Sequence, residues 1–287
     1  TAPTVTFGTN GNSTYAKSQS TKVTVTDNLS GTNTLKYQWT TSTTAPAAST
    51  FTTSFTNGST ITKSEGTGSY YLWILATDNA GNQIITRSNV FNLDNTAPTC
   101  TNSGDSTTWT TGNRTITWGC SDTLSGCKTG YTGGSQTYTT STKTATIAAY
   151  TISDNAGNTT TCPQRTADVY VDKTAPTKPT IANSSNGNWT NGTVSITLSS
   201  TDAHSGLSKY QLKYSGNNNS WDDLTSNTDS WSGERSETVY YRAVDKLGNI
   251  SEEASTQIKI DKTAPTVTFG TNGNSTYAKS QSTKVTV

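Results

Sequence analysis

The chain has 287 residues, with 20 Lys and Arg against 19 Asp and Glu and a formal net charge of +1. No basic cluster is present to set against phosphates, which excludes nucleic acid as a partner, and no apolar run approaches the ~20 residues of a membrane span. Only 29% of residues are hydrophobic and 14% charged, and Thr, Ser, Asn and Gly fill the rest; this is too poor in helix formers for a helical domain, while 7 Trp, 13 Tyr and many short alternating runs argue against disorder.

The chain opens with Thr1–Val25, and the same string returns without one change as Thr263–Val287, an offset of 262 residues (263 − 1). Inside that period Thr-Ala-Pro recurs at Thr1, Thr96, Thr174 and Thr263, at spacings of 95, 78 and 89 residues. Each spacing is about one two-sheet sandwich of ~100 residues or slightly less. The expected blocks are therefore 1–95, 96–173 and 174–262, with 263–287 the start of a further copy.

In the first block, Val23 and Val25 mark the inward face of a strand that runs into Asp27-Asn-Leu-Ser-Gly31. Leu72, Ile74 and Ala76 do the same before Asp78-Asn-Ala-Gly-Asn82. Trp73 and Leu75 then fall on the outer face. Two large apolar side chains there need a cover, either a loop or a neighbouring chain, and any lateral self-association between chains should involve that face. The second block repeats the plan, with Ile116 and Trp118 before Asp122-Thr-Leu-Ser-Gly126, and Ala148, Tyr150 and Ile152 before Asp154-Asn-Ala-Gly-Asn158. In the third block Ile196 and Leu198 precede Asp202-Ala-His-Ser-Gly206, and Val239, Tyr241 and Ala243 precede Asp245-Lys-Leu-Gly-Asn249. The Gly-Asn closing each second motif reads as a hairpin turn, with Gly supplying the positive φ. The final copy stops before its own Asp-x-x-Ser-Gly, so the chain reads as one period of a tandem array plus the start of the next.

Asp-Asn-Ala-Gly-Asn followed by Asp-Asn-Thr-Ala-Pro-Thr, and Asp-Lys-Leu-Gly-Asn followed by Asp-Lys-Thr-Ala-Pro-Thr, resemble the bacterial Ig-like domains strung in tandem through large surface proteins and adhesins, over all 287 residues. The resemblance implies an all-β fold of tandem Ig-like or fibronectin-III-like β-sandwiches arranged end to end. It puts the first Asp motif in the B–C loop and the second in the F–G loop; strand G ends at Asp94, Asp172 or Asp261. It also implies an extracellular place at a bacterial cell surface, a non-catalytic role in a stalk or filament, and further copies of the repeat in the same chain as partners. Sandwiches of ~40 Å in line would advance ~110–130 Å per period.

All four Cys lie in the second block, an even count that fits disulfides in an oxidising compartment. Four Cys allow three pairings. On the implied strand placement Cys120, inward on strand B, faces Cys127 across one short loop, and Cys100 on strand A lies beside Cys162 on strand G. The expected bonds are Cys120–Cys127 and Cys100–Cys162.

The same placement gathers carboxylates, with Asp122 and Asp154 near Asp94, and Asp202 and Asp245 near Asp172. Each trio could hold Ca²⁺, which takes six to eight oxygens. Equally, each Asp could close an Asx-turn by accepting backbone N–H groups, and no D-x-D run supports the metal. Trp189, Trp221 and Trp231, with the polar stretch from Ser215 to Gly233, make a glycan-binding surface the alternative function, set against Trp as plain core filler. No enzyme is expected. The single His, His204, sits between Asp202 and Ser205 on one loop, where nucleophile, base and orienting acid cannot converge. The Cys spacings lack the paired C-x-x-C of a zinc site.

Overall fold

The structure is a computed structural model describing residues 1–270, 273, 275, 280 and 282–286. The first block forms β1 (Thr4–Phe7), β2 (Asn12–Ala16), β3 (Gln19–Thr26), β4 (Thr32–Thr40), β5 (Thr53–Ser54), β6 (Thr60–Lys63), β7 (Gly68–Asp78), β8 (Gln83–Arg87) and β9 (Phe91–Leu93). One sheet runs β1-β3-β6 and the other β2-β9-β7-β4-β5, with β8 also on β7. Along β3 every second residue is buried. Its Val23 and Val25 meet Leu72, Ile74 and Ala76 of β7 between the sheets, the alternation a half-buried strand requires.

Trp73 and Leu75 point away from that core, yet both are buried. The segment between β4 and β5 folds back over them: Phe51 packs on the pair with Ala48, Tyr71 and Ile85 around it, and the Trp73 indole N–H donates to Ser42 O at 3.3 Å. Of the two covers that Trp73 and Leu75 call for, the described residues supply the loop, and the pair is not open for a lateral contact. The chain's own loop buries the apolar area that a neighbour would have covered.

The second block forms β10 (Thr99–Ser103), β11 (Arg114–Ser121), β12 (Gly133–Tyr138), β13 (Thr142–Ile147), β14 (Tyr150–Ser153), β15 (Thr159–Cys162) and β16 (Arg165–Val171). They pair as β10-β11-β12, β13-β16 and β14-β15. The inward pattern counted from Asp154 holds at Ile152 but fails at Ala148, which is exposed while Ile147 is buried. The strand breaks at residues 148–149, and one slipped residue reverses every face before it. Cys127 lies outside any strand and makes a lone bridge to Asp154.

The third block forms β17 (Thr180–Asn183), β18 (Val194–Ser199), β19 (Leu207–Lys213), β20 (Asp222–Leu224), β21 (Thr228–Trp231), β22 (Arg235–Asp245) and β23 (Ala254–Ile260). β17-β18-β21 faces β20-β19-β22-β23, the A-B-E against C′-C-F-G order of an Ig or fibronectin-III sandwich. Val194, Ile196 and Leu198 meet Val239, Tyr241 and Ala243 in its core. A parallel bridge onto the last strand recurs at Thr110↔Val171 and Thr190↔Ile260, as in the parallel pair β2-β9.

In the copy, β24 (Thr268–Phe269) and β25 (Val285–Thr286) pair Phe269 with Val285, the register of Phe7↔Val23 one period earlier. Much of the expected A and B strands of 263–287 lies outside the described residues. The chain divides into two compact units: Thr1–Thr107, Asn113–Thr139 and Thr144–Val169 make one, and Thr108–Gly112, Thr140–Lys143 and Tyr170–Val287 the other. Among the described residues no helix is long and apolar enough to cross a membrane.

Candidate functional site

Each repeated Asp does the same local work. In the first motif Asp27 Oδ2 accepts the N–H groups of Leu29 and Gly31 at 3.0 and 2.9 Å. Asp122 Oδ1 accepts Leu124 and Gly126 at 3.2 and 2.7 Å, and Asp202 Oδ1 accepts His204 and Gly206 at 3.1 and 2.7 Å. In the second motif Asp78, Asp154 and Asp245 take the N–H of Asn82, Asn158 and Asn249 on Oδ1 at 2.8, 2.7 and 2.8 Å, and the same residue's side-chain amide on Oδ2. The Gly between them has φ of +89°, +92° and +91° at Gly81, Gly157 and Gly248, a region that side chains resist. These are closed Asx-turns, and they explain the spacing Asp-x-x-Gly-Asn. The Leu29 N–H holds the Asp27 carboxyl below its usual range, and the Asn82 amide does so for Asp78.

A third carboxylate joins two of these loops. Asp94, after β9, and Asp172, after β16, are fully buried. Asp94 accepts Thr96 N–H at 3.0 Å and Ser125 N–H at 3.2 Å, and its carbonyl takes the Asn158 amide at 2.9 Å. Asp172 accepts Thr174 N–H at 3.0 Å and Ser205 N–H at 2.9 Å. Burial pushes Asp172 up, but the Ser205 and Thr174 donors and nearby His204 outweigh it and leave the carboxyl below its usual range. Carboxylate oxygens of Asp94, Asp122 and Asp154 lie within 4.8 Å of one another, and so do those of Asp172, Asp202 and Asp245.

Three carboxylates that close repel unless something neutralises them. Among the described residues the ion-pair contact at these trios is long, His204 Nδ1 at 3.8 Å from Asp172 Oδ1. Asp202 Oδ2 is buried and meets no donor, so it is an acceptor left over for a cation. The other oxygens already accept N–H groups. The residues therefore satisfy the turn-closing role fully and fit a Ca²⁺ shell through the lone pairs that remain.

Among the described residues His204 Nδ1 and Ser205 Oγ are buried without a hydrogen-bond partner, so these two atoms are not bonded to each other. The imidazole stands edge-on to Trp109 at 5.8 Å. Cys100–Cys162 and Cys120–Cys127 are disulfides with Cα separations of 5.9 and 6.1 Å, even though Cys100 lies opposite Cys120 in the β10-β11 register.

The three Trp of the third block do not share a surface. Trp231 is buried in the core, where Asp229 takes its indole N–H at 2.7 Å and the Tyr241 hydroxyl at 2.8 Å. Trp221 is held on the outer side of the four-stranded sheet by Lys213 and Arg242, 4.6 and 4.0 Å from its ring. Trp189 alone is exposed. A fork that no motif announced joins Arg165 to Asp105 through two bonds of 2.9 and 3.0 Å, with the Asp168 N–H added at 3.0 Å. Arg165 holds the Asp105 carboxyl low.

No protein-family model and no curated protein matches the chain. Among solved structures, it is similar to three N-terminal domains of the bacteriophage RB49 Highly Immunogenic Outer Capsid protein, at 9% identity over 92% of this chain and 99% of that one, TM-score 0.39. A Ca²⁺-stabilized adhesin that helps an Antarctic bacterium bind ice matches at 18% over 94% and 76%, TM-score 0.34. Fibronectin(III)-like modules of Clostridium thermocellum CbhA match at 11% over 90% and 94%, TM-score 0.25. Likeness at this level carries nothing about function, and the fold rests on the strand order above.

Proposed function

We propose that the chain is a non-catalytic structural repeat of an extracellular stalk or filament on a bacterial surface protein, built from sandwiches at 1–95, 96–173 and 174–262. One observation carries the reading: the Asp that ends one block's last strand is buried in, and hydrogen-bonded to, the next block's first loop, at Asp94 with Ser125 and again at Asp172 with Ser205. A linker of a few residues fixed at both sides transmits force instead of flexing, and the Pro of Thr-Ala-Pro restricts it further. Two disulfides within one block fit an oxidising, extracellular place. Ca²⁺ at the Asp trios would reinforce the same joints, with Asp202 Oδ2 the acceptor that invites it.

The competing role is adhesion to glycans. Only Trp189 of the three candidate Trp presents an accessible ring, and a sugar platform needs aromatic faces open to the ligand. A glycan array probed with the full chain separates the two. Retention no greater than that of an unrelated sandwich is expected. Reproducible binding that is lost in Trp189→Ala would overturn the spacer reading in favour of adhesion.

A further inference from the structure

Two Trp residues occupy one place in the fold and differ in what covers them. Trp109 precedes Thr110, whose N–H donates to Tyr170 O and whose carbonyl accepts the Asp172 N–H; Trp189 precedes Thr190, which makes the same two bonds with Lys259 and Asp261. The Oγ1 atoms of Thr110 and Thr190 then accept the N–H of Gly112 and Gly192 at 2.9 and 3.0 Å. Trp109 is half-buried against the Tyr170 ring at 4.8 Å and the His204 ring at 5.8 Å, the latter from the loop after β18. Trp189 has no aromatic ring against it among the described residues and is 60% exposed.

A matching bare surface lies in the first block. Leu29 holds the place in Asp-x-x-Ser-Gly that Leu124 and His204 hold later. Leu29 is 85% exposed, whereas Leu124 is 36% exposed, and beside Leu124 the preceding Asp94 is bonded to Ser125. Residue type and motif are the same in the two, so the motif itself does not account for the difference.

Asp261 supplies the third mismatch. Like Asp94 and Asp172 it accepts the N–H two residues on, from Thr263 at 2.9 Å. Unlike them it is exposed, and its Oδ2 meets no donor among the described residues. The Asp27 and Asp78 loops are joined, Asn79 donating its side-chain amide to Ser30 O at 2.7 Å and its N–H to Gly31 O at 3.1 Å, so these two carboxylates make a trio short of one member.

We infer that Trp189 and Asp261 form a socket for a second copy of the 1–95 sandwich. Trp189 packs on that copy's Leu29, and Asp261 Oδ2 accepts the N–H of its Ser30, which completes an Asp27, Asp78 and Asp261 trio across the joint. The occupant is a second copy because residues 263–287 repeat 1–25 without a change, and the two described pairs, Thr268 with Thr286 and Phe269 with Val285, keep the register of β1 and β3. The inference rests on the tandem-repeat reading, and it names the residues of the joint that reading leaves undefined.

The test compares the 287-residue chain with the same chain continued after Val287 by residues 26–95, which completes the copy. Hydroxyl-radical footprinting reads oxidation of the Trp189 peptide by mass spectrometry, with the Trp109 peptide as reference. In the continued chain Trp189 oxidation should fall at least about twofold, the ratio by which Leu29 and Leu124 differ in exposure, while Trp109 is unchanged. Replacing the added copy's counterpart of Leu29 with Asp should restore the rate. If the added copy shows hydrogen-exchange protection but Trp189 oxidises as before, the joint is overturned and the repeat reading survives. If the added copy gains no protection, the repeat reading fails with it.

Discussion

Replacing Cys100 and Cys162 together with Ala should cost the second block far more than replacing Cys120 and Cys127. The first bond joins residues 62 apart and the second residues 7 apart. In the loop-entropy treatment these closures stabilise by about 4 and about 2.5 kcal/mol at 25 °C. Cys162 is also buried, so loss of its sulfur adds a cavity cost on the order of 1 kcal/mol. A total of about 5 kcal/mol is a large part of what holds any small domain together. The assay is urea titration followed by hydrogen exchange of the β11 peptide, which isolates this block from the rest. With a slope of about 1 kcal/mol per molar urea, the midpoint should fall by about 5 M for the Cys100/Cys162 pair and about 2.5 M for the other. Equal shifts, or a fall below about 1 M for the long closure, would refute the reasoning that chain entropy sets the stability of this block.

Acid should destabilise the chain. Asp27, Asp78, Asp105 and Asp172 all sit below their usual range when folded, so their contribution is present above the unfolded value of about 3.9 and is lost as pH falls through the lower folded values; melting temperature should be flat to about pH 5 and fall below about pH 4, and a rise on acidification would contradict it. Phe51→Ala should cost about 3 kcal/mol, red-shift Trp73 emission and promote self-association, because Phe51 covers Trp73 and Leu75; unchanged emission would mean the cover is dispensable. Ca²⁺ added to EDTA-treated chain should raise the melting temperature, by about 2.7 kcal/mol of stability per occupied site at a hundredfold excess over Kd, and Asp202→Asn should remove the share of that rise that belongs to its own trio; identical curves with and without the ion leave the trios as turn closures only.

Much of the architecture is written in short-range signals. Val23, Val25, Leu72, Ile74 and Ala76 are all buried as their period of two requires, and the Asp-x-x-Gly-Asn turns follow from one acceptor, one positive-φ Gly and one returning amide. Ala148 shows where that counting stops. A strand break two residues long moves burial to Ile147, and periodicity carries no sign of a break. Trp73 and Leu75 were legible as needing a cover, but the choice between a loop and another chain depended on Phe51, 22 residues earlier (73 − 51) and in no motif. The Arg165–Asp105 fork likewise joins residues 60 apart with no local pattern. The Trp residues of the third block look alike in sequence; only the sheets separate a core Trp231 from an open Trp189.

Single-molecule pulling on the 287-residue chain tests most directly whether it is a series of three load-bearing sandwiches. At about 3.6 Å per extended residue, unfolding 1–95 should release about 300 Å beyond a folded span of ~40 Å, and 174–262 about 280 Å. The middle block should release almost nothing while Cys100–Cys162 is intact, because the bond shields 62 residues from force. Two long steps are expected under oxidising conditions, and a third of about 240 Å should appear only after reduction. One cooperative step for the whole chain, or a long third step with the disulfide intact, would contradict the account.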